Sequence, residues 1–301
     1  MKNIFTYSSA FVLGLALVAT PEADAQQFSK RKQYNSVGFS LNAVNYFGDV
    51  TPTTSFTSLR FGATRVGAGV SITRRFYPRL SGRFGVSYGR ISGDDAKAAD
   101  PNDPDAAFRF NRNFAFRNDI FEASAVAVVD LIENRNNYLK RPDFVPYVFA
   151  GIAGFYHNPK GLVGENTLGL TKGEYVSLAN LKTEGQASGY GTTQLSIPFG
   201  GGVRYRINRN FDASLEIGWR KTFTDYIDDV GGQYAGSAAL GGSPAQQYFG
   251  KGITKDDKKY PGFDNAGSPR GDVGNKTDWY IVTGVTLNYI LTPRIKNPKF
   301  R

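Results

Sequence analysis

Apolar and polar residues alternate with a period of two along most of the chain, a pattern typical of β-strands with one apolar and one polar face. In "FDASLEIGW", Phe211, Leu215 and Ile217 lie on one face, and Asp212 and Glu216 lie on the other. The run at 146–157 alternates poorly, and its two faces cannot be assigned. The pattern predicts eight strands, at 34–47, 65–76, 80–91, 120–132, 146–157, 193–207, 211–221 and 277–291.

Short and long connections alternate between these runs. The short connections are 77–79, 133–145 and 208–210, and the long ones are 48–64, 92–119, 158–192 and 226–277. A soluble sandwich has water at both ends and no reason for this asymmetry, whereas outer-membrane barrels have short periplasmic turns and long extracellular loops. We therefore predict an all-β fold, an eight-stranded antiparallel transmembrane β-barrel of the outer-membrane type that spans residues 34–291.

Residues at the two ends of the chain indicate export. Lys2, an apolar run at 11–18 and the small-x-small site at 23–25 predict a signal peptide at 1–25. A short periplasmic segment at 26–33 and a basic periplasmic tail at 292–301 would flank the barrel. The expected location is the outer membrane of a Gram-negative bacterium. The sequence has no cysteine, which excludes disulfides, cysteine nucleophiles and thiolate metal sites.

The parity of the runs places several charged residues inside the barrel. Eight strands leave room only for side chains, and opposite charges there would pair, because an unpaired buried charge is costly. A narrow channel is the alternative. The predicted lumen network is Arg83, Glu122, Arg204, Arg206, Glu216 and Arg220. Aromatic girdles are expected at Phe47, Tyr88, Phe155, Trp219 and Trp279 on the loop side, and at Phe76, Tyr77, Tyr205, Phe211 and Tyr289 on the turn side.

Residues suited to catalysis or metal binding are few. The one histidine, His157, is expected to be a polar residue at the barrel mouth, with a catalytic base as the alternative. The acidic cluster at 225–229 lacks the spacing of a calcium loop, although calcium held with loop carbonyls stays open. We predict no catalytic residues, no metal and no cofactor. The glycine- and lysine-rich stretch 251–276, which contains an Arg-Gly-Asp tripeptide, is expected to be a mobile loop.

The formal net charge of +10 makes the chain basic. Nucleic acid is not expected as a partner of an exported protein. Anionic lipid head groups or acidic protein surfaces would suit this charge, and a solvated basic surface is the alternative.

Five segments together resemble the PorG-type outer-membrane β-barrels associated with the type IX secretion system of gliding and protease-secreting bacteria. They are "YNSVGFSLNAVNYFGDV", "VPYVFAGIAGFYHNPKG", "LKTEGQ", "QLSIPFGGGVRYRIN" and "EIGWRKTFTDYIDDVGGQY". The resemblance implies a non-enzymatic barrel that accompanies a periplasmic ring made of a lipoprotein and its partner protein. It carries over a set of signature residues, which our topology places at the loop ends of strands as a hydrogen-bonded cap. They are Asn45, Tyr46, Gly48, Asp49, Asn158, Pro159, Thr183, Glu184, Gly185, Gln186, Thr224, Asp225, Tyr226, Asp228, Asp229 and Val230.

Three functions follow as hypotheses. The first is a structural component of the type IX secretion apparatus, with the turns at 136–141 and 208–210 and the C-terminal tail as contacts for the ring. Outer-membrane lipid or lipopolysaccharide is a further expected partner. The second is a barrel whose long loops bind a ligand or adhere. The third is a lipid-modifying barrel enzyme that uses His157.

Overall fold

The computed structural model describes residues 32–50, 61–100, 102, 107–251, 266–271 and 277–292. The predicted signal peptide, most of the N-terminal segment and all but the first residue of the C-terminal tail lie outside these residues. Ten strands are present in the described chain, and their bounds are as follows: β1 Asn35–Phe47, β2 Arg65–Arg75, β3 Leu80–Asp94, β4 Ala115–Asp130, β5 Phe144–Tyr156, β6 Pro159–Leu162, β7 Tyr175–Ser177, β8 Thr193–Arg206, β9 Phe211–Thr222 and β10 Trp279–Leu291.

Eight of these strands close into a barrel. The order around it is β1, β2, β3, β4, β5, β8, β9 and β10, with antiparallel pairing between all neighbours. The first and last strands pair from Asn35↔Leu291 to Phe47↔Trp279, which completes the ring. The predicted fold class is confirmed. Closure leaves none of the eight strands as an unpaired edge, the condition for crossing lipid with strands.

Two strands and three short α-helices lie in the described parts of the long connections. β6 pairs with the start of β4 through Phe116↔Gly161, and β7 pairs with β6. The helices are α1 Asp95–Ala98, α2 Ala107–Arg112 and α3 Pro244–Lys251. The predicted loop 92–119 is too long, because β3 and β4 stay paired up to Asp94↔Ala115. No helix among the described residues is long and apolar enough to span a membrane.

The outer wall of the barrel is apolar. Exposed aliphatic side chains occupy the outward positions of the barrel strands, as Leu41, Val66, Ile152 and Leu195 show with 63% to 83% exposure. Contiguous exposed apolar surface of this kind would be costly in water and is the surface that lipid requires. We call the end of the barrel that carries the short connections the "turn end". The opposite end, which carries the long connections, is the "loop end".

Aromatic rings border this apolar wall at both ends. At the loop end Trp219 and Trp279 lie around Phe199, with ring centroids 6.1 Å apart in each pair. At the turn end Phe211 lies 5.2 Å from Tyr289. Two of the predicted girdle positions are wrong, since Phe47 and Phe155 are buried. Phe155 lies on the inward face of β5. The sequence did not indicate this, because β5 carries apolar residues on both faces.

The lumen is filled by paired charges and aromatic rings. Arg83 forms an ion pair with Glu216, and Arg220 with Glu122 at 3.3 Å. Arg204 pairs with Asp130 at 2.6 Å. Arg206 does not belong to the lumen network, because it pairs with Asp143 at the turn end, where the Asp143 side chain is 68% exposed.

The inner face of β5 explains why its alternation could not be read from sequence. Tyr147 and Phe149 point inward and are buried. The Arg83 guanidinium lies 5.0 Å from the Phe149 ring and the Arg204 guanidinium 5.5 Å from the Tyr147 ring. Cation–π contacts let the aromatic rings share a lumen with arginines. A polar cavity of about 80 Å³ remains at mid-lumen between Ser40, Arg83 and Glu216, room for water rather than for a passage.

An apolar core closes the loop end. It combines the inward residues at the tops of the strands with side chains from every long connection, and we call this assembly the cap. Its buried members include Val50, Ile91, Phe114, Phe116, Phe155, Leu178, Ile227, Val230, Tyr248, Phe249 and Tyr280. The described parts of the long loops therefore form one folded layer over the barrel mouth.

Candidate functional site

The predicted signature residues meet in the cap. They fall into four groups, at 45–49, 158–159, 183–186 and 224–230, and residues from all four lie at the loop end, opposite Asn35 and Leu291, where the barrel starts and ends. Most of them are buried, and hydrogen bonds join the groups to one another and to two arginines that sequence reasoning did not select. These arginines, Arg270 and Arg112, are only 1% exposed.

Arg270 is the centre of the first network. Its guanidinium donates to Glu184 Oε1 and to Asp229 Oδ2, each at 3.0 Å. It also donates to the Asp229 carbonyl at 2.5 Å and to Thr183 Oγ1 at 3.2 Å. The planar fork of arginine, with its five N–H groups, suits donation to several acceptors at once. Arg270 belongs to the Arg-Gly-Asp tripeptide of the stretch 251–276, and the prediction of a mobile loop is wrong for this residue. Positions 252–265 and 272–276 of that stretch lie outside the described residues.

Arg112, at the end of α2, is the centre of the second network. It binds Asp95 through two contacts of 2.7 and 2.8 Å. It also donates to the Arg270 carbonyl at 2.5 Å and to the Asp49 carbonyl at 2.8 Å. Burial raises the pKa of Asp95, while the Arg112 charge opposes that rise. The two arginine networks are thus joined directly through the backbone of Arg270.

A third cluster lies where the first and last barrel strands meet. The Tyr46 hydroxyl contacts Asp228 Oδ2 and lies 3.1 Å from Asp278 Oδ1. The other carboxyl oxygens accept backbone N–H groups, Asp228 from Val230 at 2.9 Å and Asp278 from Ile227 at 3.0 Å. A tyrosine hydroxyl has one hydrogen, so it cannot donate to both carboxyls. A hydrogen bond between Tyr46 and the second carboxyl therefore requires a proton on that carboxyl, which would donate to the tyrosine oxygen.

Burial and charge repulsion act together on this pair. The pKa values of Asp228 and Asp278 are raised well above the usual range, first by burial and then by neighbouring carboxylates, Asp49 among them. Asp229 differs because Arg270 faces it. Burial raises the pKa of Asp229 to about 6, with Arg270, Tyr190 and Thr183 acting in the opposite direction. The cap thus holds three carboxyl groups whose pKa values lie above the usual range of an aspartate.

Two glycines and one aspartate fix the backbone of the cap. A Cβ on Gly48 would overlap the Tyr46 hydroxyl and Asp278 Oδ1, so the chain can pass this cluster only as glycine. Gly185 has φ +71° and Asp229 has φ +75°, in the left-handed region. The Asp229 conformation is held by the bonds from Thr183 at 2.8 Å and Tyr190 at 2.7 Å.

The remaining signature residues satisfy backbone and side-chain groups around these networks. Glu184 Oε1 accepts the amides of Gly231 and Gly232, and Thr224 Oγ1 accepts the amide of Tyr226 at 3.2 Å. Asn45 accepts from Thr64 at 2.9 Å, and the Gln186 side chain accepts the Glu184 amide at 3.1 Å.

Asn118 on β4 connects two further signature segments. Its side chain accepts the Asn158 amide at 2.9 Å and donates to the Ile227 carbonyl at 2.7 Å, beside the buried Pro159. Asp225 is partly buried next to Gly231. The signature is therefore a set of cap contacts rather than a row of side chains presented to a substrate.

His157 lies inside the cap, not at an open mouth. Its side chain is 0% exposed, and its ring stacks on Tyr190 at 6.3 Å and tilts against Phe155 at 5.5 Å. Burial lowers the pKa of His157 to about 4. A neutral, enclosed imidazole cannot reach a lipid substrate. Across the described part of the chain, no three His, Asp or Glu side chains are placed to hold a metal ion.

Sequence reasoning missed Arg112, Arg270, Asp95, Asp278 and Tyr280. Arg270 and Asp278 stand in or beside a stretch of glycines and charges that reads as solvated loop. Their role depends on which distant loops meet, with contacts between residues as far apart as Arg112 and Arg270. No local spacing could have indicated these residues.

The closed barrel, the apolar outer wall and its aromatic borders define a small transmembrane β-barrel of the outer-membrane type. Its distinguishing part is the sealed cap built by the long loops.

Residues 23–239 match a family described as "Domain of unknown function (DUF6089)", and the chain belongs to this family. None of the curated proteins compared with the chain matches it.

Solved structures with a similar arrangement are outer-membrane proteins. The OprG protein of Pseudomonas aeruginosa is 9% identical, covers 89% of this chain and 99% of its own, and gives a TM-score of 0.39. A major outer membrane protein of Thermus thermophilus is 12% identical, with 85% and 99% coverage and a TM-score of 0.40. The attachment invasion locus protein Ail of Yersinia pestis is 8% identical, with 86% and 97% coverage and a TM-score of 0.36.

Proposed function

We propose that this protein is a non-enzymatic outer-membrane barrel that serves as a structural component of the type IX secretion apparatus. The turn end would face the periplasm and the cap the exterior. One observation carries the proposal. The residues that resemble the PorG-type signature are used to close the barrel, with Glu184, Asp228 and Asp229 occupied by internal hydrogen bonds. A sealed barrel with an inward-facing signature suits an anchor better than a pore or an enzyme.

The periplasmic ring would contact the turn end. Arg79, Lys140 and Arg209 are exposed there, whereas Arg141 of the same turn is buried against Asp212 at 2.6 Å. Exposed cations on a rigid rim favour an acidic partner surface, because complementary charge increases the rate and specificity of association. Lys140 and Arg209 are thus the proposed ring contacts, while Arg141 holds the turn in place.

Charge reversal at the rim tests this proposal in the native host. Lys140→Glu and Arg209→Glu should each reduce recovery of the ring lipoprotein with the tagged barrel and lower secretion. Lys172→Glu changes the same charge on an exposed residue at the loop end and should leave both unchanged. Normal recovery and secretion in the Lys140→Glu, Arg209→Glu double variant would exclude the rim, and a tagged barrel that recovers no ring protein would exclude the secretion role.

Adhesion through the surface loops is the alternative with a structural feature in its favour. Leu168 is 50% exposed at the tip of a hairpin turn closed by Thr167 and Leu170. Leu168→Ser should then weaken adhesion of cells to a surface without affecting secretion. Deletion of 235–276 does not test this alternative, because it removes Tyr248, Phe249 and Arg270 from the cap.

A further inference from the structure

Outward-facing charges lie directly above the aromatic border on one side of the barrel. On β3 and β4, Arg90 is opposite Asp119, one outward position beyond Tyr88 and Phe121. One row further toward the cap, Arg117 of β4 is opposite Lys160 of β6. We call Arg90, Arg117, Asp119 and Lys160 the cation ledge. Its place above the rings corresponds to the head-group level of a bilayer.

The ledge contains three cations and one carboxylate, so one ion pair, Arg90 with Asp119, leaves two cations without an ion pair. Asp119 accepts two bonds from Arg90, at 2.6 and 3.1 Å, and one from the Tyr88 hydroxyl at 2.7 Å. These contacts use the one carboxylate of the ledge. Arg117 and Lys160 form no ion pair within the described chain, and the Arg117 guanidinium lies 3.7 Å from the centre of the Tyr175 ring. The ledge therefore carries a local charge of about +2.

The position of these two cations is unfavourable for the protein alone. Residues directly opposite in an antiparallel pair point to the same face, and like charges there destabilise the pair. Arg117 is also held over Tyr175, which limits its ability to move away from Lys160. An anion between the two side chains would remove the repulsion and gain two charge-assisted hydrogen bonds.

An apolar groove of about 550 Å³ on the outer wall begins at Tyr88 and Phe121, one outward position below Arg90 and Asp119. Phe121 and Tyr156 border it, and Ala123 and Gly154, a cross-strand pair, form its floor. A Cβ built on Gly154 would meet no atom within 4 Å, which shows that the floor is open to the outside. Small residues between aromatic ones leave space for a hydrocarbon chain against the wall.

We propose that the cation ledge and this groove form a binding site for a lipid of the outer leaflet that carries a phosphate and a net negative charge. The phosphate would lie between Arg117 and Lys160, and an acyl chain would lie in the groove beneath it. The lipid, rather than free phosphate, is the ligand because the groove continues from the ledge into the apolar wall. The inference depends on the outer-membrane placement and not on a role in secretion.

Lipid retention by the full-length protein purified in detergent tests the site, with native mass spectrometry as the readout. Lipid A and phosphatidylglycerol should bind and phosphatidylcholine should not. The double variant Arg117→Gln, Lys160→Gln should bind the anionic lipids about thirtyfold more weakly, given roughly 1 kcal/mol for each cation. A control with equal charge loss, Lys172→Gln with Arg209→Gln, should bind as the wild type does.

A second variant separates the groove from the ledge. Gly154→Phe adds a ring where the structure has open space, so the barrel should fold, yet the ring would occupy the groove. This variant should bind long-chain lipid more weakly, and its affinity for inorganic phosphate should stay unchanged. Equal lipid retention in the ledge variant and its control would overturn the proposal. Inorganic phosphate that competes as well as lipid A would also overturn it, since the groove would then contribute nothing.

Discussion

Replacement of Arg270 by methionine tests whether the ion network holds the cap closed. Methionine keeps much of the apolar stem but removes a guanidinium that faces Glu184 and Asp229, whose side chains are 5% and 0% exposed. Removing one partner of a buried ion pair typically costs about 3–5 kcal/mol, because the remaining charge is left without compensation. The barrel should persist, since no barrel strand depends on Arg270 for its pairing. The cap alone should open.

Hydrogen exchange measures this opening directly. The amides of Gly231 and Gly232 donate to Glu184 Oε1 at 3.0 and 3.2 Å. A cost of about 3–5 kcal/mol corresponds to exchange that is roughly a hundredfold to several thousandfold faster. The effect should be smaller at pH 5 than at pH 8, because Asp229 has a pKa of about 6 even beside Arg270 and would take up a proton when its partner is lost.

Two comparisons complete the test. Arg209→Met removes an exposed guanidinium at the turn end and should leave exchange at Gly231 unchanged. Adding Asp229→Asn to Arg270→Met should recover part of the lost protection, since one uncompensated carboxylate disappears. Unchanged exchange in Arg270→Met, or equal acceleration in the strand amides, would refute the view that Arg270 specifically closes the cap.

Three further predictions concern protons and backbone space in the cap. The folded pKa values of Asp228 and Asp278 are raised, so the cap should lose stability as pH rises from the ordinary aspartate range through those folded values; Asp228→Asn should flatten this slope in hydrogen exchange. On the acid side His157, with a pKa lowered to about 4, costs stability as pH falls through 6.5; His157→Phe should remove that loss, by up to about 3 kcal/mol, in the same exchange assay. Gly48→Ala should open the cap to limited proteolysis, whereas Gly154→Ala on the outer wall should not; equal cleavage in both variants would contradict the steric argument.

Regular alternation makes the barrel predictable from sequence, and the cap is not predictable in the same way. On β9 the order Asp212, Leu215, Glu216, Ile217 gives inner and outer faces directly, since each strand is bounded by lipid on one side. On β5 the inward Tyr147 and Phe149 are apolar, so composition no longer separates the faces. In the lumen these rings lie against Arg83 and Arg204, and a periodic pattern does not indicate such cation–π contacts.

The cap depends on contacts between distant parts of the chain. The signature residues could be located at one end because the topology fixes where each strand ends. Their partners could not, since Asp95, Arg112 and Arg270 come from separate parts of the connections and meet only in three dimensions. Tyr248 and Phe249 lie in α3, a helix within a long connection that is too short to show an apolar period in the sequence.

The cluster around Tyr46 has a consequence for the order of assembly. Tyr46 lies at the end of the first barrel strand, and Asp278 immediately precedes the last, so their contact spans the seam that closes only when the C-terminal strand has arrived. The Asp228 carboxyl then joins both. Without the last strand, the cap lacks the Asp278 carboxyl and its contacts with Tyr46 and with the Ile227 amide. Closure of the seam and completion of this cluster are thus coupled, because a barrel with an open seam also lacks the Tyr46–Asp278 contact at its outer end.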